Sequence, residues 1–182
     1  MQWMDKITDL VSGVPAKVPS FCTVNHEINL NDPNKQIHHQ LPKCPDTLKE
    51  ELAEKISQYT SAGWWVPATV FQAVLMLCGL KKNGKLRTVF DLHQQNDNTE
   101  KDVSPFLDQV TIRHNVACAP YRSKLDMSEV YEQICMRLED VPKTAFATIF
   151  GTFMNLVMQQ GDCNVPSTFQ QLMTVVFREY IT

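Results

Sequence analysis

Asp126 has the setting of a metal-binding carboxylate. It follows Tyr121–Leu125, which we interpret as a strand, and it precedes Met127 in the chain. A carboxylate at the end of a strand is a hard oxygen ligand of the kind that Mg²⁺ prefers. On local grounds alone, however, an aspartate in this position is more often a turn or cap residue. Asp126 therefore indicates metal chemistry only in combination with other residues.

Four basic residues form a second candidate group. Lys81, Lys82, Lys85 and Arg87 fall within residues 81–87, on both sides of Asn83-Gly84. Lysine offers a point charge and arginine a two-pronged donor, and both suit phosphate. The local alternative is a solvated hairpin tip whose lysines protect an edge strand, and without other information this alternative is favoured.

A glycine loop precedes the last predicted helix. It has the sequence Gln159-Gln160-Gly161-Asp162-Cys163-Asn164, and Pro166 follows. A glycine beside the start of a helix lets backbone amides approach a ligand closely. On local grounds alone, an ordinary loop is the favoured interpretation of this segment.

Composition limits the classes of protein to which the chain could belong. Hydrophobic residues make up 43% and charged residues 20% of the 182 residues, which is ordinary for a globular domain. The net charge of −3 argues against non-specific nucleic-acid binding by the whole surface. No apolar run is long enough for a membrane span, and the first ten residues lack the apolar core of a secretory signal. The six cysteines contain no C-x-x-C pair, so we expect reduced thiols in an intracellular protein of the cytoplasm or nucleus.

The first part of the chain predicts an arm followed by a helix. Residues 12–46 are rich in Pro, Asn and Asp, with one short strand expected at His26–Leu30. Thr47–Ala62 has helical spacing of apolar residues, a Thr47/Glu50 capping box at its start and Gly63 at its end. We expect residues 1–24 to form an N-terminal arm and residues 25–182 to form one domain.

Helices and strands then mix without strict alternation, so the predicted class is α+β. Asn83-Gly84 predicts a hairpin between two strands. The predicted elements are strands Val70–Leu80 and Leu86–Leu92, a loop over 93–105, helix Asp108–Ala117, strand Tyr121–Leu125, a hairpin of Thr144–Phe150 and Phe153–Met158 around Gly151-Thr152, and a helix from Pro166 with Phe169, Leu172, Met173, Val176 and Tyr180 on one face.

Seven segments, taken together and in order, resemble the reverse transcriptases of gypsy-type long-terminal-repeat retrotransposons. They are His26–Leu30, Ala62–Trp64 with Val74–Lys82, Lys81–Asp91, Asn96–Asp102, Leu125–Ile134, Lys143–Thr148 and Pro166–Met173. The match runs from about His26 to the C-terminus. Gln159–Asn164 is similar to the version in certain fungal gypsy elements. The resemblance implies the fingers and the first half of the palm of the polymerase fold.

The resemblance also implies roles for the residues of the palm. Asp126 would be the first metal-binding aspartate, with the Met127 carbonyl as a second ligand. Tyr131 would lie under the deoxyribose and exclude a 2′-hydroxyl. Gln160 would line the nucleotide pocket, and Gly161 would allow close approach.

In the fingers, the resemblance implies that Lys82 and Arg87 contact the triphosphate of the incoming nucleotide. Lys81 and Lys85 would contact nucleic acid, and Asp91 would be a structural partner. His93 stands where the family usually has arginine, so the resemblance alone does not establish an ion pair between residues 91 and 93. The implied metal is Mg²⁺ or Mn²⁺, and the implied partners are an RNA/DNA template-primer and a deoxynucleoside triphosphate.

One part of the family's active site has no counterpart here. The family continues into a Tyr-x-Asp-Asp hairpin, whereas this sequence contains no adjacent pair of aspartates. We therefore expect the chain to be truncated before that hairpin, to bind metal weakly and to be inactive alone. The alternative is a non-catalytic, element-derived remnant that binds nucleic acid or protein. The missing hairpin would also expose Tyr121–Leu125, through which we expect self-association or aggregation.

Overall fold

The structure, a computed structural model, describes residues 16–37, 41–103, 108–124 and 127–179. Leu125 and Asp126 lie outside the described residues, as do most of the arm (residues 1–15) and Tyr180. Within the described part, no helix combines the length and the apolar character needed to cross a bilayer.

A five-stranded sheet organises the fold, with the strand order β1-β5-β4-β2-β3. The strands are β1 (Trp65–Pro67), β2 (Val74–Leu80), β3 (Leu86–Asp91), β4 (Phe146–Thr148) and β5 (Gly151–Asn155). All neighbouring pairs are antiparallel except β2 and β4, which run parallel. The β2–β3 hairpin therefore extends from one edge of the sheet.

Four α-helices accompany the sheet in the described residues. They are α1 (Lys49–Ser61), α2 (His93–Asp97), α3 (Gln109–Cys118) and α4 (Val165–Val176), with 3₁₀ turns at Asp46–Leu48, Tyr131–Gln133 and Leu138–Thr144. The mixed order confirms the α+β class.

Two apolar clusters form the core. The first packs Leu52 of α1 and Trp64 against the sheet residues Trp65, Met76 and Phe146. The second cluster involves Ile28 of residues His26–Leu30, which we call the entry segment. Ile28 joins residues that precede or follow the sheet strands, namely Ile134, Met136, Val141, Met158 and Val165. The entry segment forms only isolated bridges at His26 and Leu30 instead of a continuous strand.

The helix expected at Thr47–Ala62 is present, but its capping box is not. A 3₁₀ turn precedes α1, so the N-cap is Leu48 and no side chain caps the helix. Because Thr47 lies inside that turn, it cannot bond the amide three residues into the helix. Asp46 and Lys49 form an ion pair across the turn instead.

The segments around the first hairpin differ from expectation in two respects. The strand expected at Val70–Leu80 begins only at Val74, where its pairing with Phe146 starts. The hairpin at Asn83-Gly84 is confirmed, and Gly84 has a positive φ of 79°. The predicted loop over 93–105 instead begins with α2. This short helix is held by a contact distant in sequence, since the Asn96 side chain bonds Gly161.

The strand expected at Tyr121–Leu125 is wrong for its described part. Residues 121–124 form no strand and are exposed, and α3 directly precedes them. The Arg122 guanidinium instead donates to the carbonyls of Ala117 and Ala119 at the end of α3, which turns the chain back on itself. Among the described residues, this segment therefore has no open strand edge through which the chain could self-associate.

The second hairpin turns earlier than expected. Its turn is Ile149-Phe150, because the Thr148 hydroxyl accepts from the Phe150 amide and donates to the Gly151 carbonyl. After Asn155 the chain leaves the sheet, and Leu156 bonds the Trp64 carbonyl. In α4, Phe169 and Leu172 are half-buried as expected, whereas Val176 is exposed.

Candidate functional site

A cleft of about 510 Å³ lies between the β2–β3 hairpin and the chain that follows β5. We call it the hairpin cleft. It brings together residues far apart in sequence: Lys55 and Tyr59 of α1, Lys81 and Arg87 of the hairpin, Glu132, and Gln159, Gln160 and Gly161. The basic hairpin and the glycine loop, each ambiguous in the sequence, thus face the same space.

The hairpin contributes two of its four basic side chains to the cleft. Arg87 pairs with Gly79 across the strands, and Lys81 closes the turn through a bond from its amide to the Lys85 carbonyl. Both line the cleft and are exposed. Lys82 and Lys85 are also exposed but do not line it. The structure therefore separates Lys81 from Lys82, which the sequence could not do.

The glycine loop is held from several sides. The Asn96 side chain donates from Nδ2 to the Gly161 carbonyl at 2.9 Å, and its Oδ1 accepts from the Cys163 backbone amide at 3.0 Å. Gly161 has a φ of 107°, in the region that favours glycine. A β-carbon there would approach Leu92 at 3.4 Å. These contacts fix the loop against α2.

A buried polar group supports the same loop from behind. His26 Nδ1 and Thr168 Oγ1 share a hydrogen bond of 2.8 Å, and His26 Nε2 lies 3.6 Å from Asp162 Oδ2. The second distance is too long for a hydrogen bond, and both side chains are fully buried. The loop is therefore connected to the entry segment and to α4 through His26.

Gln159 presents an unused donor in the cleft. The side chain is 3% exposed, and its Oε1 accepts from Nδ2 of the Asn155 side chain at 2.9 Å. Its Nε2 has no partner among the described residues. A buried N–H without a partner is costly, and a ligand acceptor would satisfy it. The sequence pointed to Gln160, which is exposed and also lines the cleft, and missed Gln159.

Lys55 and Glu132 were also missed. Lys55 Nζ donates to Thr88 Oγ1 at 2.7 Å and lies 5.0 Å from the centre of the Tyr59 ring. Burial lowers the pKa of Lys55, and the charge of Glu132 acts in the opposite direction. Burial likewise raises the pKa of Glu132, partly offset by Lys55. The sequence did carry a signal for Lys55, because it lies three residues after Leu52 and four before Tyr59, on the apolar face of α1.

Met127 and Tyr131, two of the predicted palm residues, do not line the cleft, whereas Gln160 and Gly161 do. Met127 is exposed, and Tyr131 packs its ring edge against Phe169 at 6.3 Å. Asp126 lies outside the described residues. Those residues contain no group of three or more His, Cys, Asp or Glu side chains able to hold a metal ion.

His93 and Asp91 form an ion pair. The resemblance alone did not establish this pair, because the family usually has arginine where this chain has His93. His93 Nδ1 lies 2.7 Å from Asp91 Oδ1 at the exposed end of β3. The bond to Asp91 raises the pKa of His93, and the bond to His93 lowers the pKa of Asp91. The pair is therefore favoured below the pKa of His93 and is lost as the pH rises through it.

Relatives were found among curated proteins. The chain is 32% identical over 127 residues to a retrovirus-related Pol polyprotein from transposon opus of Drosophila melanogaster, covering 69% of the chain and 12% of that protein. It is 30% identical over 127 residues to the corresponding polyprotein from transposon 297, covering 70% of the chain and 11% of the relative. The chain thus spans about an eighth of the length of these relatives. No protein-family profile matches the sequence.

Solved structures share the fold over nearly the whole chain. A foamy virus protease-reverse transcriptase has a TM-score of 0.81 at 16% identity, covering 98% of this chain and 24% of that one. The same kind of protein in complex with an RNA/DNA hybrid has a TM-score of 0.82 at 16% identity, covering 99% of this chain and 24% of that chain. The chain is therefore a relative of retrotransposon Pol polyproteins and has the fold of the fingers and palm of a reverse transcriptase.

Proposed function

We propose that the chain is the nucleotide-binding part of an RNA-directed DNA polymerase from a gypsy-type retrotransposon. In this proposal the hairpin cleft holds an incoming deoxynucleoside triphosphate, and a template-primer lies beside it. The observation that carries the proposal is the meeting of Arg87 and Lys81 with the Gln159–Gly161 loop in one cleft of about 510 Å³. The solved neighbours include one in complex with an RNA/DNA hybrid, which supports nucleic acid as the partner class.

The cleft offers complementary chemistry at its two sides. Arg87 and Lys81 on the hairpin provide the positive charge that a triphosphate needs. On the other side, Gln159 Nε2 is a donor without a protein partner, and Gly161 leaves room for close approach. Lys81 replaces Lys82 as the proposed phosphate contact because only Lys81 lines the cleft.

The remaining palm assignments stay proposals. Asp126, with the Met127 carbonyl, would hold Mg²⁺ or Mn²⁺, which when bound would stabilise the charge on the reacting phosphate oxygens. Tyr131 packs against Phe169, and a role beneath the deoxyribose would require its ring to leave that contact. Lys85 is proposed to contact nucleic acid from the hairpin tip.

Nucleotide binding tests the proposed site. We expect Arg87→Ala to weaken the binding of deoxythymidine triphosphate about tenfold, because it removes hydrogen bonds to a charged ligand. Lys81→Ala should weaken binding less, and Lys82→Ala should leave it almost unchanged. The adjacent lysines are a matched pair, since both are exposed and carry the same charge. Isothermal titration of the four proteins, with Mg²⁺ present, gives the dissociation constants.

Two outcomes of that titration would contradict the proposal. Equal losses in Lys81→Ala and Lys82→Ala would mean that only general charge attraction is being measured. No binding by the unmodified chain would favour the alternative, a non-catalytic remnant.

Primer extension tests the expected inactivity of this 182-residue chain. Two-metal phosphoryl transfer needs carboxylates that hold both ions about 4 Å apart, and the sequence has no adjacent aspartate pair. We therefore expect no DNA synthesis on an RNA template with either Mg²⁺ or Mn²⁺. Extension that disappears in the Asp126→Asn variant would show that another residue of the chain completes the site.

A further inference from the structure

A second cleft, of about 360 Å³, shares no lining residue with the hairpin cleft. We call it the Gln95 pocket. Its walls are mostly apolar and include Ile37, Val70, Phe71 and Pro142. The Gln72 side chain shapes one wall by accepting from the Ile37 amide at 3.0 Å. A mostly apolar pocket of this size with few polar groups is typical of a small-ligand site.

Gln95 is a buried polar residue in the lining of this pocket, which also includes the polar residues Gln72, Gln94 and Asn98. Its side chain is 2% exposed, and neither Oε1 nor Nε2 has a partner among the described residues. Its backbone carbonyl, by contrast, accepts from the Asn98 backbone amide and the Thr99 hydroxyl, which fixes the backbone of Gln95 in the middle of α2. A buried amide with both atoms unused is destabilising and rare, and a bound molecule with a matching acceptor and donor would explain it.

We propose that the Gln95 pocket holds an unstacked nucleobase of a single-stranded nucleic acid. A glutamine amide places one donor beside one acceptor, and the N7 and N6 groups of adenine are the matching acceptor and donor. Adenine is therefore the best-matched base. Apolar walls accept the flat faces of the ring.

Two features at the mouth favour a nucleic acid over a peptide, whose backbone also offers a donor and an acceptor. Phe71 is fully exposed, although it lines the pocket, and an exposed aromatic ring is a stacking surface for a base. Lys35, also exposed, places a positive charge at the same pocket for a phosphate. The inference goes beyond the proposed polymerase role, because it concerns different residues.

Binding of two single-stranded octamers isolates the contribution of the bases. One is an adenine octamer and the other an abasic octamer with the same phosphates, both labelled with fluorescein and measured by anisotropy with the full chain. We expect the adenine octamer to bind more tightly. In Gln95→Leu this preference should fall about tenfold, the loss expected for one bidentate base contact. Affinity for the abasic octamer should not change.

Phe71→Ala keeps the inference testable even if Gln95→Leu fails to fold, because Phe71 is fully exposed. It should also reduce the preference for adenine. Gln58→Leu is the matched control, since Gln58 is an exposed glutamine on α1 and lines neither cleft. Its preference should equal that of the unmodified chain.

Nuclear magnetic resonance locates the contact. Adenosine monophosphate should shift the side-chain amide signals of Gln95. An unchanged preference for adenine in Phe71→Ala, with no shift of the Gln95 signals, would overturn the proposal and leave a water-filled pocket. This result is distinguishable from failure of the proposed function, because deoxythymidine triphosphate binding is measured at the hairpin cleft with Arg87→Ala.

Discussion

Replacing Phe146 by alanine is expected to lower the free energy of unfolding by about 3–5 kcal/mol. Phe146 on β4 is completely buried. Its ring centre lies 4.9 Å from that of Trp65 on β1, 4.8 Å from that of Phe90 on β3 and 5.9 Å from that of Phe153 on β5. The substitution therefore leaves a cavity among side chains of three other strands. These strands would have to move inward to fill it.

The same substitution should weaken nucleotide binding. Trp65 and Phe90 line the hairpin cleft, and both rest on the Phe146 ring. Urea unfolding and triphosphate titration of Phe146→Ala measure the two effects. Phe150→Ala is the matched control, because Phe150 is 49% exposed in the turn that follows β4. A similar loss of stability in both variants would contradict the role assigned to the aromatic cluster.

Asp140→Ala is expected to cost about 2–3 kcal/mol of stability, because it removes a buried carboxylate and leaves a backbone amide without an acceptor, although the paired Lys143 side chain is 34% exposed. Asp140 is 3% exposed and bonds Lys143 through one carboxylate oxygen. Its other oxygen accepts from the Ile28 amide at 3.1 Å, and Lys143 donates to the Ile28 carbonyl at 2.6 Å. Asp140 and Lys143 thus make the backbone hydrogen bonds with Ile28 that a neighbouring strand would otherwise make. Its removal leaves the Ile28 amide without an acceptor.

Thermal unfolding followed by circular dichroism measures this loss. Glu139→Ala is the control, since Glu139 is an exposed carboxylate whose ion pair with Arg137 is a surface contact worth little. The double variant Asp140→Ala/Lys143→Met should recover part of the loss, because it no longer leaves a lysine without its counter-charge. Equal stabilities of Asp140→Ala and Glu139→Ala would refute the structural role of the pair.

Local patterns in the sequence were sufficient for much of the fold. Helical spacing gave α1, and Asn83-Gly84 gave the first hairpin, because these elements depend on neighbouring residues. Elements that depend on distant partners were misjudged. The start of the 93–105 segment is helical and is held by the Asn96–Gly161 contact, while Tyr121–Lys124 has no strand partner.

The candidate site shows the same division. Arg87, Lys81 and Gly161 were singled out from the sequence and line one cleft. Gln159 was missed, because its importance lies in an unpaired donor that appears only when Asn155 occupies its oxygen. Gln95 was missed too, since a glutamine in a polar segment gives no sign that folding will bury it.

The parallel pairing of β2 with β4 has a consequence for the order of folding. Val74 pairs with Phe146, so this strand pair can form only when the chain between the two residues closes into a loop. The β2–β3 hairpin is local and can form within microseconds, whereas the parallel ladder requires a large loop to close. On a ribosome, the hairpin can therefore form while β4 is still unsynthesised. Until β4 emerges, β2 has an unpaired edge, and such an edge makes a nascent chain prone to aggregation.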